Sequence, residues 1–303
     1  MTLTGTIITD EFEGYRPYLF SIAYRMMGSA SEAEDIVQDT YLRYLQAPSS
    51  EIRSPKSYLA TLVTRLCIDH LRSARIQREE YIGPWLPEPL LTSDQEAMPF
   101  ETAAQHESIS LAFLVLLETL SPPERAVFLL HDIFAFDYQE IAGMIGRSPT
   151  SCRQLGHRAR ASIASRKHRY EPSRETHLRL LNRFLLACQE GDVEGLKEIL
   201  AQDVVNYGDG GGKVLAALRP VVGIDAVMRL WLSLTHKALA DLSITFEEVN
   251  GQPAVISWRG ERVYDVVSFE VVDARIQAIR GILNPDKLTY IARQLQAHTH
   301  EER

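Results

Sequence analysis

Seven cations and no acid lie between Ala142 and Tyr170: Arg147, Arg153, Arg158, Arg160, Arg166, Lys167 and Arg169. A second basic stretch carries Arg53, Lys56, Arg65, Arg72, Arg75 and Arg78 against Asp69 alone. Between the two, Glu79 to Glu124 holds nine acids and no Lys or Arg. The formal net charge of -8 argues against a polyanionic partner. Phosphate binding, however, depends on the local field, and charge segregated this sharply points to nucleic acid at two places. A solvated helix face explains either stretch alone, but it explains both with an acidic spacer much less well. The chemistry on offer is non-covalent: guanidinium groups on phosphates and base edges.

Covalent chemistry has weaker candidates. Asp209, His236, Asp241 and Asp265 could each be proposed as a base, but no paired acid and base is visible among them. The Gly210-Gly211-Gly212 run lacks the following Lys-Ser/Thr of a phosphate cradle and reads as a flexible loop. Cys67, Cys152 and Cys188 are odd in number and in no metal-ligand spacing, so neither a disulfide nor a metal site is expected, and a reducing cytosol fits. The expectation is therefore no catalytic residue, no metal and no cofactor. No apolar run reaches the roughly 20 residues of a membrane helix. The opening MTLTGTIITDEFEGYRP lacks a basic segment followed by an apolar one, so a cytoplasmic protein with no membrane partner is expected.

The elements that must position these residues fall into blocks. Residues 8–78 read as helices. Residues 79–106 are an acidic linker broken by Pro84, Pro87, Pro89 and Pro99, residues 107–170 are helical again, and residues 174–297 form a last block. Ser31 and Glu34 have capping-box spacing. The helix after them puts Ala33, Ile36, Val37, Thr40, Tyr41, Tyr44 and Leu45 on one face. Asp35, Gln38, Asp39, Leu42 and Arg43 take the other, which leaves Leu42 as an exposed apolar side chain among acids. Pro55 makes a loop of the residues before it. From Lys56 to Arg78 a largely apolar stripe of Tyr58, Leu59, Leu62, Leu66, Asp69, Ile68 and Leu71 predicts another helix, whose late cations also suit the helix dipole.

The segment DYQEIAGMIGRSPTSCRQLGHRARASI, Asp137 to Ile163, contains the parts of a helix-turn-helix. Asp137 and Glu140 have capping-box spacing, Gly146 suits a left-handed helix end, and Ser148-Pro149 restarts a helix. Cys152, Leu155, Ala159 and Ile163 then face inward, while Thr150, Arg153, Gln154, His157 and Arg158 face out as a recognition helix would present them. Gly156 conflicts mildly with this helix, at about 1 kcal/mol against Ala. In the last block, Leu178, Leu181, Phe184, Leu185 and Cys188 make a helix face ended near Gly191, and Val193 to Leu200 make a short second helix. Runs at Leu242–Val249, Ala254–Trp258, Glu261–Val271 and Ile276–Leu283, with turns at Asn250-Gly251, Arg259-Gly260 and Asp273-Ala274, predict an antiparallel meander and an α+β layer fold.

Residues from about 10 to 170 resemble the extracytoplasmic-function (ECF) sigma factors of bacterial RNA polymerase. YRPYLFSIAYRMMGSASEAEDIVQDTYLRYL is similar to regions 2.1 and 2.2, SPKSYLATLVTRLCIDHLRSARIQRE to regions 2.3 and 2.4, and SPPERAVFLLHDIFAFDYQEIAGMIGRSPTSCRQLGHRARA to region 4. The resemblance implies that Asp35, Gln38, Asp39 and Leu42 meet the core polymerase, on its β′ coiled coil, with β as the other large partner subunit. It implies that Arg53, Lys56, Ser57, Tyr58, Arg65, Arg72 and Arg75 take the single-stranded −10 element. It further implies that Arg147, Thr150, Ser151, Arg153, Gln154, His157, Arg158 and Arg160 take the −35 duplex. Arg65 stands where many members have Asn and Tyr58 where Trp is common, which leaves the −10 sequence open. The strings YIGPWLPEPL (Tyr81 to Leu90), DGGGK (Asp209 to Lys213) and NPDKL (Asn284 to Leu288) resemble the subgroup with a SnoaL-like C-terminal extension.

That resemblance implies two all-α domains followed by an α+β NTF2-like cone. The cone would be a regulatory domain that packs on the linker and on regions 2 and 4, and a small molecule or a protein would act through it. Promoter DNA and core polymerase are the implied partners. Two other readings stay open at this point. One is an enzyme working in the cone; the other is a one-component repressor that binds duplex without polymerase.

Overall fold

The computed structural model describes residues 3–48, 52, 54–92, 108–165, 173–238 and 242–301. The chain divides into two compact units. One comprises Met1–Glu79, Asp94–Ile109 and Phe113–Lys167; the other comprises Glu80–Ser93, Ser110–Ala112 and His168–Arg303. The described part of the acidic linker after Glu79, residues 80–92, folds with the C-terminal residues.

The first unit begins with three helices: α1 (Leu3–Met27), α2 (Ala30–Gln46) and α3 (Pro55–Glu79). Leu19, Ile22 and Met26 of α1, Ala33, Ile36 and Val37 of α2, and Leu59, Val63 and Cys67 of α3 are buried as their core. Helix α2 starts two residues earlier than Ser31 and Glu34 suggest. Gly28 takes a left-handed φ of 68°, Ser29 is the first extended residue, and its hydroxyl accepts from the Glu32 N–H at 3.1 Å. The inward stripe closes at Tyr44, so Leu45 points to water at 43% exposure rather than joining the core face.

From Phe113 the same unit continues through the rest of α4 (Leu111–Leu117), then α5 (Pro122–Phe128), a wider turn over Leu129–Ile133, α6 (Tyr138–Ile145) and α7 (Pro149–Ala164). Helix α6 opens on the Asp137–Glu140 capping box, with the Asp137 carboxylate accepting from the Gln139 and Glu140 amides at 2.7 and 2.8 Å. It ends on Gly146 at φ 66°. Ser148 caps α7 by accepting from the Ser151 N–H at 3.2 Å, and Pro149 sits in its first turn. Cys152, Leu155, Ala159 and Ile163 are buried, as the spacing predicts. Gly156 is buried beside them, and its conflict with helix propensity has a cause. A Cβ there would stand 2.9 Å from the Tyr138 hydroxyl and 3.5 Å from a Val127 methyl.

The second unit carries α8 (Arg174–Glu190), α9 (Val193–Ile199), β1 (Leu200–Asp209), β2 (Val221–Val222), α10 (Ile224–Ala238), β3 (Ser243–Val249), β4 (Gln252–Arg259), β5 (Arg262–Val272), β6 (Arg275–Ile282) and α11 (Pro285–Glu301). The six strands form one sheet in the order β2-β1-β6-β5-β4-β3. The meander β3 to β6 is antiparallel as expected, with Asn250 and Gly251 both at positive φ in the first hairpin. The purely antiparallel expectation fails at β1, which pairs parallel with β6. It follows α9 without a break and carries Gln202, Asp203 and Asn206, so neither alternation nor a turn marks it in the sequence. Leu181 and Phe184 of α8, Val227 of α10, and Phe269 and Ile279 of the sheet form the core.

Gly156→Ala should therefore lower the melting temperature despite gaining about 1 kcal/mol of helix propensity. In a Tyr138→Phe background, where the crowding oxygen is gone, the same change should become neutral or stabilising. Thermal unfolding of the four proteins of this cycle checks it.

Candidate functional site

The outer face of α7 and the turn before it present Arg147, Thr150, Arg153, Gln154, His157 and Arg158 as exposed side chains, with Ser151 half-buried. These are the residues of the expected −35 set, brought onto one surface by the caps on either side of Gly146. Arg158 and Arg160 are also engaged inside the unit. Arg158 Nε donates to Glu124 at 2.8 Å, and Arg160 Nε donates to Asp132 at 3.0 Å and its Nη2 to the Tyr138 hydroxyl. The Arg153 guanidinium lies 5.8 Å from the Tyr138 ring. Arg166, Lys167 and Arg169 lie outside the described residues.

On α2, Asp35, Gln38, Asp39 and Leu42 are all exposed, Leu42 at 48%, and share one face opposite the buried stripe. An apolar side chain held in water beside two carboxylates suits a partner with an apolar spot and a cationic rim.

The expected −10 residues run along α3. Ser57 sits in its first turn, where the Ser54 hydroxyl accepts from its N–H at 3.4 Å. Lys56 Nζ lies 4.9 Å from the Tyr18 ring, and the half-buried Tyr58 stacks obliquely 6.3 Å from Tyr44. Arg72 is paired with Asp69 at 3.2 Å, both well exposed. Arg53 lies outside the described residues, as does the side chain of Arg75.

Arg65 has partners that sequence spacing does not suggest. Its Nε donates to the Met144 carbonyl at 2.6 Å and its Nη2 to the Gly143 carbonyl at 3.0 Å, so it caps the C-terminal end of α6. A reciprocal contact runs the other way. Arg125 of α5 is buried, and its Nη1 donates to the Met26 carbonyl at the end of α1 at 2.6 Å and to Glu118 at 2.7 Å. Each half of the unit thus sends one guanidinium to the negative end of a helix in the other half, where cations are stabilised. Arg25, fully buried, adds a bond from its Nε to the Ser108 hydroxyl at 2.8 Å. Sequence reading passed over Arg25 and Arg125, because nothing local marks an arginine that will be buried.

In the second unit the linker is seated on a buried ion pair. Asp209, at the end of β1, has no exposure. Its Oδ1 accepts from the Tyr81 hydroxyl at 2.5 Å; its Oδ2 accepts from the Leu86 N–H at 2.8 Å and from Lys287 Nζ at 2.7 Å. Lys287 Nζ also donates to the Leu86 carbonyl and lies 4.2 Å from the Trp85 ring and 4.8 Å from the Tyr81 ring. Asn284 donates from Nδ2 to the Tyr81 oxygen at 2.9 Å. Burial, reinforced by the Asp209 carboxylate, pushes the Tyr81 hydroxyl pKa up, so it stays a neutral donor.

Further along, Leu90 exchanges two bonds with Asn250, Leu91 bridges Val249, and the Thr92 N–H donates to the Glu248 carbonyl at 2.9 Å, so the linker continues the sheet edge. Asp209, weighed above as a base, is a structural anchor with every oxygen taken. The glycine run is not a loose loop. A Cβ on Gly211 would fall 2.3 Å from Asn284 Nδ2, and one on Gly212 would fall 2.8 Å from an Ile82 methyl. These glycines let the linker close onto the strand end.

Of the other weighed bases, Asp241 and the side chain of His236 lie outside the described residues. Asp265 lines a cavity, and its carboxyl is pushed up to about 6 by burial, with bonds from Ser257 opposing the shift. Among the described residues no cluster of His, Cys, Asp and Glu could hold a metal ion, and no helix is long and apolar enough to cross a membrane.

Three family patterns match in the order this geometry requires. Sigma-70 region 2 matches residues 12–76, Sigma-70 region 4 matches 110–163, and a SnoaL-like domain matches 181–278. The chain is 35% identical over 291 residues to the ECF RNA polymerase sigma factor SigJ of Mycobacterium tuberculosis, covering 92% of this chain and 93% of that protein. The chain is an ECF RNA polymerase sigma factor. The crystal structure of the M. tuberculosis ECF sigma factor SigJ superposes with a TM-score of 0.75 at 33% identity, covering 93% of this chain and 98% of that one. The probable ECF sigma factor SigI of the same organism is 32% identical over 294 residues, covering 95% of this chain and 97% of that protein. Helices α1 to α3 of this sigma factor are thus region 2, α6 and α7 are the helix-turn-helix of region 4, and the sheet unit is the SnoaL-like domain.

Two outcomes follow for this sigma factor. Lys287→Met leaves Asp209 charged and buried without its partner, so it should destabilise the SnoaL-like unit by roughly 3–5 kcal/mol. Chymotrypsin should then cut at Tyr81 and Trp85 at concentrations that leave the native chain intact. Urea unfolding and limited proteolysis read both effects.

The second concerns His177 of α8, whose imidazole burial holds at about 4, against a hydrogen bond to the Phe269 backbone. The unfolded chain takes up that proton near pH 6.5, whereas the folded one refuses it until about pH 4. The contribution is thus complete above pH 6.5 and is lost as pH falls toward 4, by about 3 kcal/mol. A His177→Phe variant should show a flatter stability profile across this window.

Proposed function

We propose that this sigma factor docks on the β′ subunit of core polymerase through Asp35, Gln38, Asp39 and Leu42, with β as a further contact. It then holds the −10 strand along α3 and reads the −35 duplex with α7, while its SnoaL-like domain governs how the linker between the two regions is presented. The observation that carries the reading is the arrangement of exposed side chains. One acid-rimmed apolar face on α2 and one basic, hydrogen-bonding face on α7 both stand clear of the core that orders them. Membership of the family gives core RNA polymerase and promoter DNA as the partners, and a cytoplasmic site of action goes with them.

Arg65 deepens the proposal. The two N–H groups that hold the Gly143 and Met144 carbonyls would be given up if Arg65 turned to a −10 strand, so this one contact would break on the promoter while the buried Arg125 contact stays. The linker supports the regulatory half. Leu86 and Leu90 are 2% exposed; Asp209 and Lys287 bond the Leu86 backbone, and Asn250 bonds that of Leu90. Removing the chain after about residue 172 takes away that seat, so it should change transcription from the same start site. The SnoaL-like unit is also where a protein or small-molecule regulator would act.

The decisive tests are substitutions on the two faces. Leu42→Asp should weaken binding to core polymerase by about tenfold or more, as loss of a central interface anchor does, with an unchanged melting curve. Arg153→Ala should leave polymerase binding alone and reduce discrimination at one −35 position by roughly 1–3 kcal/mol. Equal polymerase affinity for Leu42→Asp would remove α2 from the interface.

A further inference from the structure

The SnoaL-like domain contains a cavity of about 420 Å³, within the usual range for sites that hold drug-sized molecules. Its walls come from α8, α10 and strands β3 to β5. They are apolar over most of their extent, built from Trp231, Val255, Val267 and Phe269 among others. The walls are also fixed. The Trp231 indole N–H donates to Asn206 at 2.9 Å, and the Phe184 ring wedges edge-on against both Trp231 and Phe269, with centroids 5.0 and 5.3 Å apart. Ile244 on β3, the strand at the end of the sheet, lines the cavity and stays 44% exposed. Voids larger than a water molecule are few in a packed domain, so a volume of this size stands out.

One polar group in this wall is incompletely served. Asp265 pairs across the sheet with Ser257, which donates to its carboxyl, yet Oδ1 is buried and has no hydrogen-bond partner. Buried carboxyl oxygens without partners are uncommon and costly, because nothing replaces the water they lost. Thr235, the nearby hydroxyl in the lining, already donates to the Trp231 carbonyl at 2.6 Å and cannot serve it with the same proton. The other polar groups of the lining are Ser257, which already donates to this carboxyl, Thr235, the Cys188 thiol and the exposed Gln189 amide, and none of them is bonded to Oδ1, so the site lacks a donor there.

We infer that the cavity of the SnoaL-like domain is a binding site for a small, mostly apolar molecule carrying one hydrogen-bond donor, an amine or a hydroxyl, which Asp265 Oδ1 accepts. Trp231 and Phe269 pack on its apolar body. An apolar carboxylate of the same shape is rejected, since it would bring like charge to Asp265 and no proton. The site lies apart from Asp209 and Lys287, so this inference does not depend on the linker being released or on the reading of the DNA-facing regions.

The test uses the full chain at pH 7.5 and three probes of one shape: 2-naphthylmethylamine, 2-naphthylmethanol and 2-naphthoate, titrated by calorimetry. The amine or the alcohol should bind about tenfold more tightly than the naphthoate, the ratio expected when one hydrogen bond to a charged group is made or lost. Asp265→Asn keeps the shape and should bring the three affinities together. Leu185→Trp, which fills the cavity from α8, should abolish binding of all three. Failure of every probe to bind, binding of the naphthoate by the native chain as tight as that of both the amine and the alcohol, or an undiminished preference in Asp265→Asn would each overturn the inference.

Discussion

The ion pair between Asp209 and Lys287 is the contact on which the C-terminal unit depends. A carboxylate with no exposure and an ammonium at 7% are stable only if their remaining lone pairs and protons are met, and the linker meets them. Tyr81 and the Leu86 amide serve the carboxylate, while the Leu86 carbonyl and the faces of Tyr81 and Trp85 serve the ammonium. Without the linker, both charges would be left short of partners. Without the pair, the linker would lose its bonds at Leu86 and keep those further along, from Leu90 to Thr92. The linker and the domain therefore form one folding unit although more than a hundred residues separate them in sequence.

The other unit is governed by arginines buried against helix ends. Arg125 on the end of α1 and Arg65 on the end of α6 draw regions 2 and 4 of the sigma factor together. The two contacts differ in burial. Arg125 is enclosed and paired with Glu118, so losing it would strand a charge in the interior. Arg65 is exposed, and water can take its place at the carbonyls at little cost. The Arg65 contact is the one suited to making and breaking, and it lies on the helix that the −10 strand would use.

Much of this was legible in the sequence because it is local. Asp137, Glu140, Gly146, Ser148 and Pro149 dictate the helix-turn-helix through their own backbone needs, and the structure realises each of them. The outward set on α2 followed from helical period alone. The misses were non-local or degenerate. Ser29 and Ser31 both precede an acid at the right spacing, and only the left-handed Gly28 decides between them. Strand β1 hides because polar residues break its pattern and a parallel neighbour, rather than a hairpin turn, defines it. Asp209 read as a conceivable base because spacing does not reveal burial. The signal that could have placed it was the resemblance itself: Tyr81, Asp209, Asn284 and Lys287 come from the three strings that mark the subgroup, and the structure brings those strings to one point.

In the proposed function, the SnoaL-like domain governs promoter use through its hold on the linker. The most direct measurement is run-off transcription with core polymerase and a promoter-bearing template, comparing the native chain with one whose hold on the linker is broken at Asp209 by an Asp209→Leu substitution. The prediction is one shared start site, absent without the sigma factor, with transcript yields that differ severalfold between the two proteins. No start site from either, or the same yield from both, would contradict it.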